Sequence, residues 1–145
     1  AKARGVVLQL PVDHVVADTI DAAARTEVLK VGDPAIGDRM GLDIGPKTAQ
    51  RFADKIKTAK LVLWNGPVGL FEVPPFDQGS RVLANALAEN FPRIVSIIAG
   101  GDTVAAITAA GVAEKITHLS TGGGATLEFL EGRELPGVKA LEDSQ

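Results

Sequence analysis

Apolar residues in this chain form two patterns, short continuous runs and stretches with helical spacing. Short runs rich in β-branched residues and bounded by turn residues predict buried strands. The predicted strands are residues 6–10, 28–31, 61–64, 94–99 and 116–119. Apolar positions that recur every three or four residues predict amphipathic helices. The predicted helices are one that starts at Pro46, residues 77–91, one that includes residues 104–111, and one after the glycines at 122–124.

The later strands and helices alternate along the chain, which favours a parallel sheet covered by helices on both faces. We therefore expect an α/β fold in three layers. Ligands of such sheets bind at the carboxyl ends of the strands. The chain leaves three predicted strands after Trp64, Ile98 and Leu119, and each exit leads into a loop that contains glycine. These three exits should line one crevice.

Composition narrows the possible functions. The 145 residues carry a net charge of −3, so a nucleic-acid partner is not expected. There is no cysteine, which suits a reducing compartment and excludes a thiolate metal site. No apolar stretch approaches the roughly 18 residues of a membrane span, and no signal peptide is evident, so we expect a cytoplasmic protein without a membrane partner. Residues 1–5 resemble the end of a helix, and we expect the chain to begin inside a domain.

The segment from residue 94 to 111 carries the strongest chemical signal. A β-branched strand stops at Gly100 and Gly101, passes through Asp102 and Thr103, and becomes an alanine-rich helix. Glycines let the backbone approach a ligand closely, and the amino end of a helix attracts anions. Asp102 adds a carboxylate that could hold a divalent cation beside a phosphate. The alternative is that Asp102 or Thr103 is an ordinary helix cap, which does not explain both glycines.

Two further features point to the same crevice. The glycines at 122–124 stand between another strand and another helix, where they form either a flexible turn or a second anion site. Two such helix ends suggest a polyphosphate or a moving phosphoryl group. Glu72 lies in a proline-rich loop after Trp64, and it is either a solvated carboxylate or a ligand for a ribose diol.

Other candidates are weaker. Residues 41–48 place glycines before a Lys-Thr pair, but the spacing is wrong for a P-loop and Pro46 intrudes, so a helix start at Gly45 and Pro46 is the better interpretation. Asp13 and His14 follow a predicted strand and are more simply turn and solvent residues. No metal-binding or Ser-His-Asp pattern is present.

Several motifs together resemble phosphoglycerate kinase in order and spacing. The most specific are WNGPVGLFE (64–72), GGDT (100–103), STGGGA (120–125) and LEFLEG (127–132). LPVD (10–13), MGLDIGP (40–46) and LPGV (135–138) are similar to the family as well. The resemblance covers nearly the whole chain but only about the last third of the family's length. It implies an incomplete Rossmann-like nucleotide-binding domain in residues 1–134 and, in 135–145, a tail that returns to an absent amino-terminal domain.

The resemblance implies a glycolytic phosphotransferase that exchanges a phosphoryl group between 1,3-bisphosphoglycerate and Mg-ADP, giving 3-phosphoglycerate and Mg-ATP. Asp102 resembles the family's Mg²⁺ ligand, and backbone N–H groups of Gly101, Gly123 and Gly124 resemble those that stabilise the transferring group. The residues that resemble nucleotide ligands are Asn65, Gly66, Pro67, Glu72, Gly100, Gly101, Asp102, Thr103 and Gly122. In the family, 3-phosphoglycerate binds through the absent domain, and members are typically monomeric.

Two positions depart from the family pattern. Ala99 stands where a third glycine is frequent, and Arg39 stands where tryptophan is usual. The absent part of the family's chain includes basic residues that neutralise phosphate charge, so we expect this chain alone to be inactive. The alternative hypothesis is a truncated module that acts by binding to, or assembling with, a complementary segment.

Overall fold

A computed structural model describes residues 1–142 of the chain. It contains two small sheets and five α-helices in the described part. The strands are β1 (Asp13–Ala17), β2 (Glu27–Lys30), β3 (Met40–Ile44), β4 (Leu61–Asn65), β5 (Val95–Ala99) and β6 (His118–Ser120). The helices are α1 (Pro46–Thr58), α2 (Gln78–Glu89), α3 (Gly101–Ala109), α4 (Gly123–Leu130) and α5 (Pro136–Glu142).

The second sheet is parallel, with strand order β4-β5-β6, and α2 and α3 follow its first two strands. Its core contains Leu87 of α2, Ile98 of β5 and Ile107 of α3, all of which are buried. Burying such a side chain stabilises the fold by roughly 1.5–3 kcal/mol. The prediction of an α/β fold with a parallel sheet is therefore confirmed.

The first sheet is antiparallel, with order β2-β1-β3, and the sequence analysis did not predict it. Only β2 was expected there. Strands β1 and β3 contain polar residues and a glycine, among them Asp13, His14, Gly41 and Asp43, so they lack the continuous apolar pattern of a buried strand. Their hydrogen bonds come from pairing across the sheet, which the local pattern does not encode.

The predicted strand at residues 6–10 is absent from the structure. Val7 is 78% exposed and Leu8 is 70% exposed, and no described strand pairs with this segment. An apolar run favours a strand only where another strand satisfies its backbone groups, and residues 1–142 provide none here. Residues 1–5 do form a helix end, since the 3₁₀ turn Lys2–Arg4 stops at Gly5 with φ 68°.

Smaller differences concern the ends of elements. Strand β6 begins at His118 rather than at residue 116, and α2 is shorter than residues 77–91 at both ends. The tail expected at residues 135–145 contains α5, while residues 143–145 of that segment lie outside the described part. None of the helices in residues 1–142 has the length and apolar character that crossing a bilayer requires.

Candidate functional site

Three strand ends lie side by side at the carboxyl edge of the parallel sheet. Asn65 of β4 pairs in register with Ala99 of β5, and Ala99 pairs with Ser120 of β6. Helix α3 begins two residues after β5, and α4 begins three residues after β6. The two helix amino ends therefore start from the same edge, as the strand-loop-helix pattern predicted.

Hydrogen bonds join the three loops that follow these strands. The Asn65 side chain donates to the carbonyl oxygen of Gly123 at 3.2 Å, and the Gly100 N–H donates to the Ser120 carbonyl at 2.9 Å. The Gly66 N–H donates to the Thr103 hydroxyl at 2.8 Å. The three exits therefore meet in one place, with Asn65 between the two glycine motifs, and that they line a crevice stays a prediction.

The contact between the two glycine loops leaves no room for a side chain. Gly100 has φ 96°, which is strained for other residues, and a Cβ there would lie 3.1 Å from the Asn65 side-chain oxygen. A Cβ at Gly123 would lie 3.0 Å from the Gly100 Cα. By contrast, Cβ atoms at Gly101 and Gly124 would meet nothing within 4 Å, so these residues face open space. Gly100 and Gly123 therefore allow the two loops to pack against each other, whereas Gly101 and Gly124 face open space.

The backbone donors of the two helix ends also differ. Among residues 1–142, the N–H groups of Gly101 and Gly124 have no hydrogen-bond partner, as expected in a first helical turn. The Gly122 N–H donates to the Ser120 hydroxyl at 3.2 Å, and the Gly123 N–H donates to the Thr121 carbonyl at 3.2 Å. An anion in this place would meet free donors from Gly101 and Gly124, whereas the other two would first have to leave partners in the chain.

Asp102 lies in the first turn of α3 and is exposed. Gly100 is the N-cap of this helix, and the Asp102 carboxylate makes no hydrogen bond or ion pair within residues 1–142. The alternative that Asp102 serves as a helix cap through its side chain is therefore wrong. The free carboxylate lies in the first turn of the helix, at the amino end where an anion would bind.

The donor set at Asp102 fits Mg²⁺ rather than a metal held by protein alone. No cluster of three metal-binding side chains occurs in the described residues. Mg²⁺ commonly keeps several waters and is held by one or two carboxylates together with substrate phosphates. A single exposed carboxylate beside two helix amino ends meets that requirement.

Thr103 has a structural role that the sequence analysis did not foresee. It is 1% exposed, its hydroxyl donates to the Ala99 carbonyl at 2.9 Å, and the same oxygen accepts from Gly66. The hydroxyl proton is therefore already used within the chain. Thr103 joins the start of the Glu72 loop to helix α3, and its predicted contact with a nucleotide stays a prediction.

Glu72 lies in the loop between β4 and α2, is exposed, and has no side-chain partner among the described residues. Beside this loop lies a shallow cavity of about 340 Å³. It is lined by His14, Gly41, Leu42, Asp43, Ile44, Gly69 and Leu70. The loop is attached to β3 through the Leu70 N–H, which donates to the Leu42 carbonyl at 2.9 Å. The sequence alone does not predict this cavity, because its walls come from three separate segments of the chain.

Two buried aspartates of the antiparallel sheet support these segments. Asp13 accepts hydrogen bonds from the backbone N–H groups of Lys47 and Thr48 at 3.0 and 2.8 Å, so it caps α1 from β1. Burial alone would raise the pKa of Asp13, but the hydrogen bonds from Thr48 and Lys47 hold that pKa below its ordinary value. For Asp43, burial dominates and raises the pKa to about 6.

Two other residues named in the sequence analysis have local roles. The Trp64 indole N–H donates to the Gly66 carbonyl at 2.6 Å and so belongs to the loop after β4. Arg39 forms an ion pair with Glu27 at 2.7 Å and donates to two carbonyls of the preceding loop, which explains the position structurally.

Comparison with known proteins agrees with this geometry. The family model described as phosphoglycerate kinase matches residues 1–133. The chain is 51% identical over 146 residues to phosphoglycerate kinase of Chloroflexus aurantiacus, covering 100% of this chain and 36% of that protein. It is 55% identical over 145 residues to the chloroplastic phosphoglycerate kinase of Volvox carteri, covering 99% of this chain and 31% of that protein.

Solved structures show the same relationship. The structure of phosphoglycerate kinase from Coxiella burnetii superposes with a TM-score of 0.85 at 40% identity, covering 95% of this chain and 35% of that one. The structure of phosphoglycerate kinase from Pyrococcus horikoshii gives a TM-score of 0.77 at 32% identity, covering 92% of this chain and 32% of that one. The chain therefore spans about a third of the length of these relatives. Since the family model covers nearly all of its residues, the chain belongs to the phosphoglycerate kinase family.

Proposed function

We propose that this chain is the carboxyl-terminal portion of a phosphoglycerate kinase and carries part of its Mg-nucleotide site. The complete enzyme would transfer a phosphoryl group reversibly between 1,3-bisphosphoglycerate and Mg-ADP in glycolysis. Residues 1–134 would belong to the nucleotide-binding domain, and residues 135–145 would return to the amino-terminal domain, which binds 3-phosphoglycerate. The observation that carries the proposal is the free Asp102 carboxylate beside two helix amino ends, in a chain that matches this family.

In this proposal each part of the sheet edge has a distinct task. Asp102 would hold Mg²⁺ together with the nucleotide phosphates, which brings a positive charge next to the transferring group. The free N–H groups of Gly101 and Gly124 would donate to phosphoryl oxygens, and Gly123 would hold the two loops at the required separation. Phosphoryl transfer depends on positioning and charge stabilisation rather than on covalent chemistry from the protein, and this edge supplies both.

The nucleoside would extend from the sheet edge toward the cavity beside β3. Glu72 would accept hydrogen bonds from the ribose hydroxyls, because its carboxylate is exposed and free of partners within residues 1–142. Leu70, two residues earlier, lines the cavity together with Leu42 and Gly41, and these apolar walls suit a flat base. Asn65, Gly66 and Pro67 would connect the two regions.

Replacement of Asp102 tests the metal assignment. Asp102→Asn should weaken Mg-ADP binding by about tenfold or more, because a charged contact to the metal is lost. Its free energy of unfolding should change by no more than about 1 kcal/mol, since the side chain is exposed and unbonded. Calorimetric titration with ADP, with and without Mg²⁺, would measure this, and Asp38→Asn, another exposed aspartate, is the matched control. Equal Mg-ADP affinity in the two variants would contradict the assignment.

Activity of the complete enzyme can be tested by reconstitution. We expect no turnover from this chain alone, because the acceptor site and its basic residues would lie in the part of the enzyme that this chain does not span. Mixing the chain with the preceding two-thirds of the Chloroflexus aurantiacus enzyme, a relative with 51% identity, should restore ATP formation from 1,3-bisphosphoglycerate and Mg-ADP. ATP formation by the chain alone would overturn the expected inactivity.

A second candidate function is assembly with a complementary segment, without catalysis. Exposed apolar side chains favour it: Val7 and Leu8 lie in an unpaired segment, and Leu61 is exposed on β4, an edge strand of the parallel sheet. The reconstitution separates the two candidates. A stable complex that forms ATP supports the kinase, whereas a stable complex that forms none, and binds no Mg-ADP, supports the assembly module.

A further inference from the structure

Asp43 is a buried carboxylate to which neither the nucleotide nor the metal assignment gives a role. It lies in β3, is 4% exposed, and accepts hydrogen bonds from the Ile44 N–H at 2.7 Å and the Gly79 N–H at 2.8 Å. Gly79 belongs to the first turn of α2. The N-cap residue of that helix, Asp77, makes no capping hydrogen bond with its side chain. Asp43 therefore satisfies the amino end of α2 from a neighbouring strand.

The same carboxylate also contacts the loop that carries Glu72. A Cβ at Gly69 would lie 2.2 Å from an oxygen of Asp43, and a Cβ at Gly79 would lie 2.4 Å from that oxygen. Gly69 lies in the loop before Glu72, and Gly79 lies in the first turn of α2 after it, so the chain on both sides of Glu72 lies directly against one side chain. The adjacent Leu70 N–H is held by the Leu42 carbonyl, which adds a backbone contact between this loop and β3.

We propose that Asp43 is a positioning residue that sets the placement of the Glu72 loop, and through it the affinity for nucleotide, by its charge state. This inference deepens the proposed function, since it assigns the loop a ligand. The carboxylate accepts from α2 through one oxygen and from β3 through the other. An asparagine at this position has only one acceptor oxygen, so one of these two contacts would be lost.

The groups around Asp43 make its charge sensitive to pH. Burial raises the pKa of Asp43 to about 6, the N–H bonds from Gly79 and Ile44 oppose this shift, and the negative charge of Asp77 adds to it. Asp77 is itself paired with Arg81 of α2 at 3.5 Å, and His14 of β1 lines the same cavity. Because the pKa of Asp43 in the fold lies above the ordinary 3.8, ionisation of this group costs stability. The loop should therefore be held most firmly below about pH 4 and should loosen as the pH rises through about 6.

An NMR titration of the chain tests the inference without nucleotide. The Asp43 carboxyl carbon should titrate near pH 6, and the amides of Gly69, Leu70 and Gly79 should follow it with the same midpoint. Asp43→Asn should abolish this transition in the amides. At pH 7.5 it should raise hydrogen exchange in the loop by about tenfold, while exchange in the core of α3 stays unchanged.

The control is Asp38→Asn, which replaces an exposed aspartate in the loop before β3. It should leave the pH titration of the loop amides and their hydrogen exchange as in the original chain. If the Asp43 carboxyl titrates while the loop amides do not, the inference is overturned, and this result needs no folded variant. In Mg-ADP titrations, Asp43→Asn should weaken affinity severalfold at pH 7.5 relative to Asp38→Asn, and equal affinities would also overturn it. If the original chain binds no Mg-ADP, the proposed function fails, while the loop measurements still decide the role of Asp43.

Discussion

Removal of the Asp13 carboxylate should be among the most damaging single changes to the fold. The side chain is 2% exposed and accepts from the Lys47 N–H at 3.0 Å and from the Thr48 N–H at 2.8 Å, and the Thr48 hydroxyl donates to it as well. Gly45 leaves space for it, because a Cβ there would lie 2.2 Å from the Asp13 carboxyl carbon. Asp13→Ala would leave the amino end of α1 without these acceptors.

The size of the effect follows from the hydrogen bonds. A bond to a charged group contributes roughly 1.5–3 kcal/mol, so losing two backbone bonds should cost on the order of 3–6 kcal/mol. That is a large part of the 5–15 kcal/mol typical of a domain, so the variant should be largely unfolded at moderate urea. Asp21→Ala is the control, because Asp21 accepts from the Ala23 N–H at 2.7 Å in an exposed loop and should cost less than about 1 kcal/mol.

The stabilisation that Asp13 provides should depend on pH, and its pKa gives the direction. The pKa of Asp13 is lowered in the folded chain from an ordinary 3.8, so its ionised form stabilises the fold fully above that value and loses this effect as the pH falls through the lowered pKa. Asp43 acts in the opposite direction, since its pKa of about 6 means that ionisation costs stability as the pH rises from about 3.8 to about 6. Subtracting the variant from the original chain at each pH cancels the Asp43 contribution.

Urea unfolding followed by circular dichroism at several pH values would measure the loss in the free energy of unfolding and its dependence on pH. The difference between the original chain and Asp13→Asn should be largest near neutral pH and should shrink in acid, because asparagine resembles the neutral acid. Equal free energies of unfolding for Asp13→Ala and Asp21→Ala, or a difference that does not vary with pH, would refute the reasoning.

Two further predictions concern the sheet edge. Thr103→Val should raise hydrogen exchange at the Gly66 amide by about tenfold, because the hydroxyl that accepts from this amide is lost. Thr103→Ser keeps the hydroxyl and should preserve the protection of the amide. Equal exchange in the two variants would show that the hydroxyl does not hold the loop. Gly123→Ala should weaken Mg-ADP binding by about tenfold, because its Cβ would press on the Gly100 Cα at 3.0 Å. Gly124→Ala, whose Cβ meets nothing within 4 Å, should leave the free energy of unfolding unchanged or slightly higher, and calorimetry with thermal unfolding would compare the two glycine variants.

Local pattern was sufficient for the parallel half of the fold. Three contiguous segments each favour one backbone conformation. The apolar run before Gly100 favours a strand, the glycines favour a tight turn, and the alanine-rich stretch after them favours a helix. The same holds for Gly45 and Pro46, which begin α1 as predicted. Because parallel strands present their carboxyl ends at one edge, the meeting of three loops at that edge also followed from the order of elements.

The antiparallel sheet and the buried aspartates required the tertiary structure. Asp13 meets Thr48 across 35 positions of sequence, and Asp43 meets Gly79 across 36. From the sequence, Asp13 resembled a turn residue in a loop, since the partners that justify burying its charge are brought close only when β1 packs beside α1.

The sequence by itself determined the strand-loop-helix units, their glycines and the position of Asp102 in the first turn of a helix, because these depend on neighbouring residues and on backbone freedom. Tertiary structure decided which polar groups are free and which are already bonded: Thr103 holds Gly66, the N–H groups of Gly122 and Gly123 donate within their own loop, and Gly101 and Gly124 keep theirs available. A hydrogen bond across the fold depends on distances that packing sets, and residues adjacent in sequence do not contain that information.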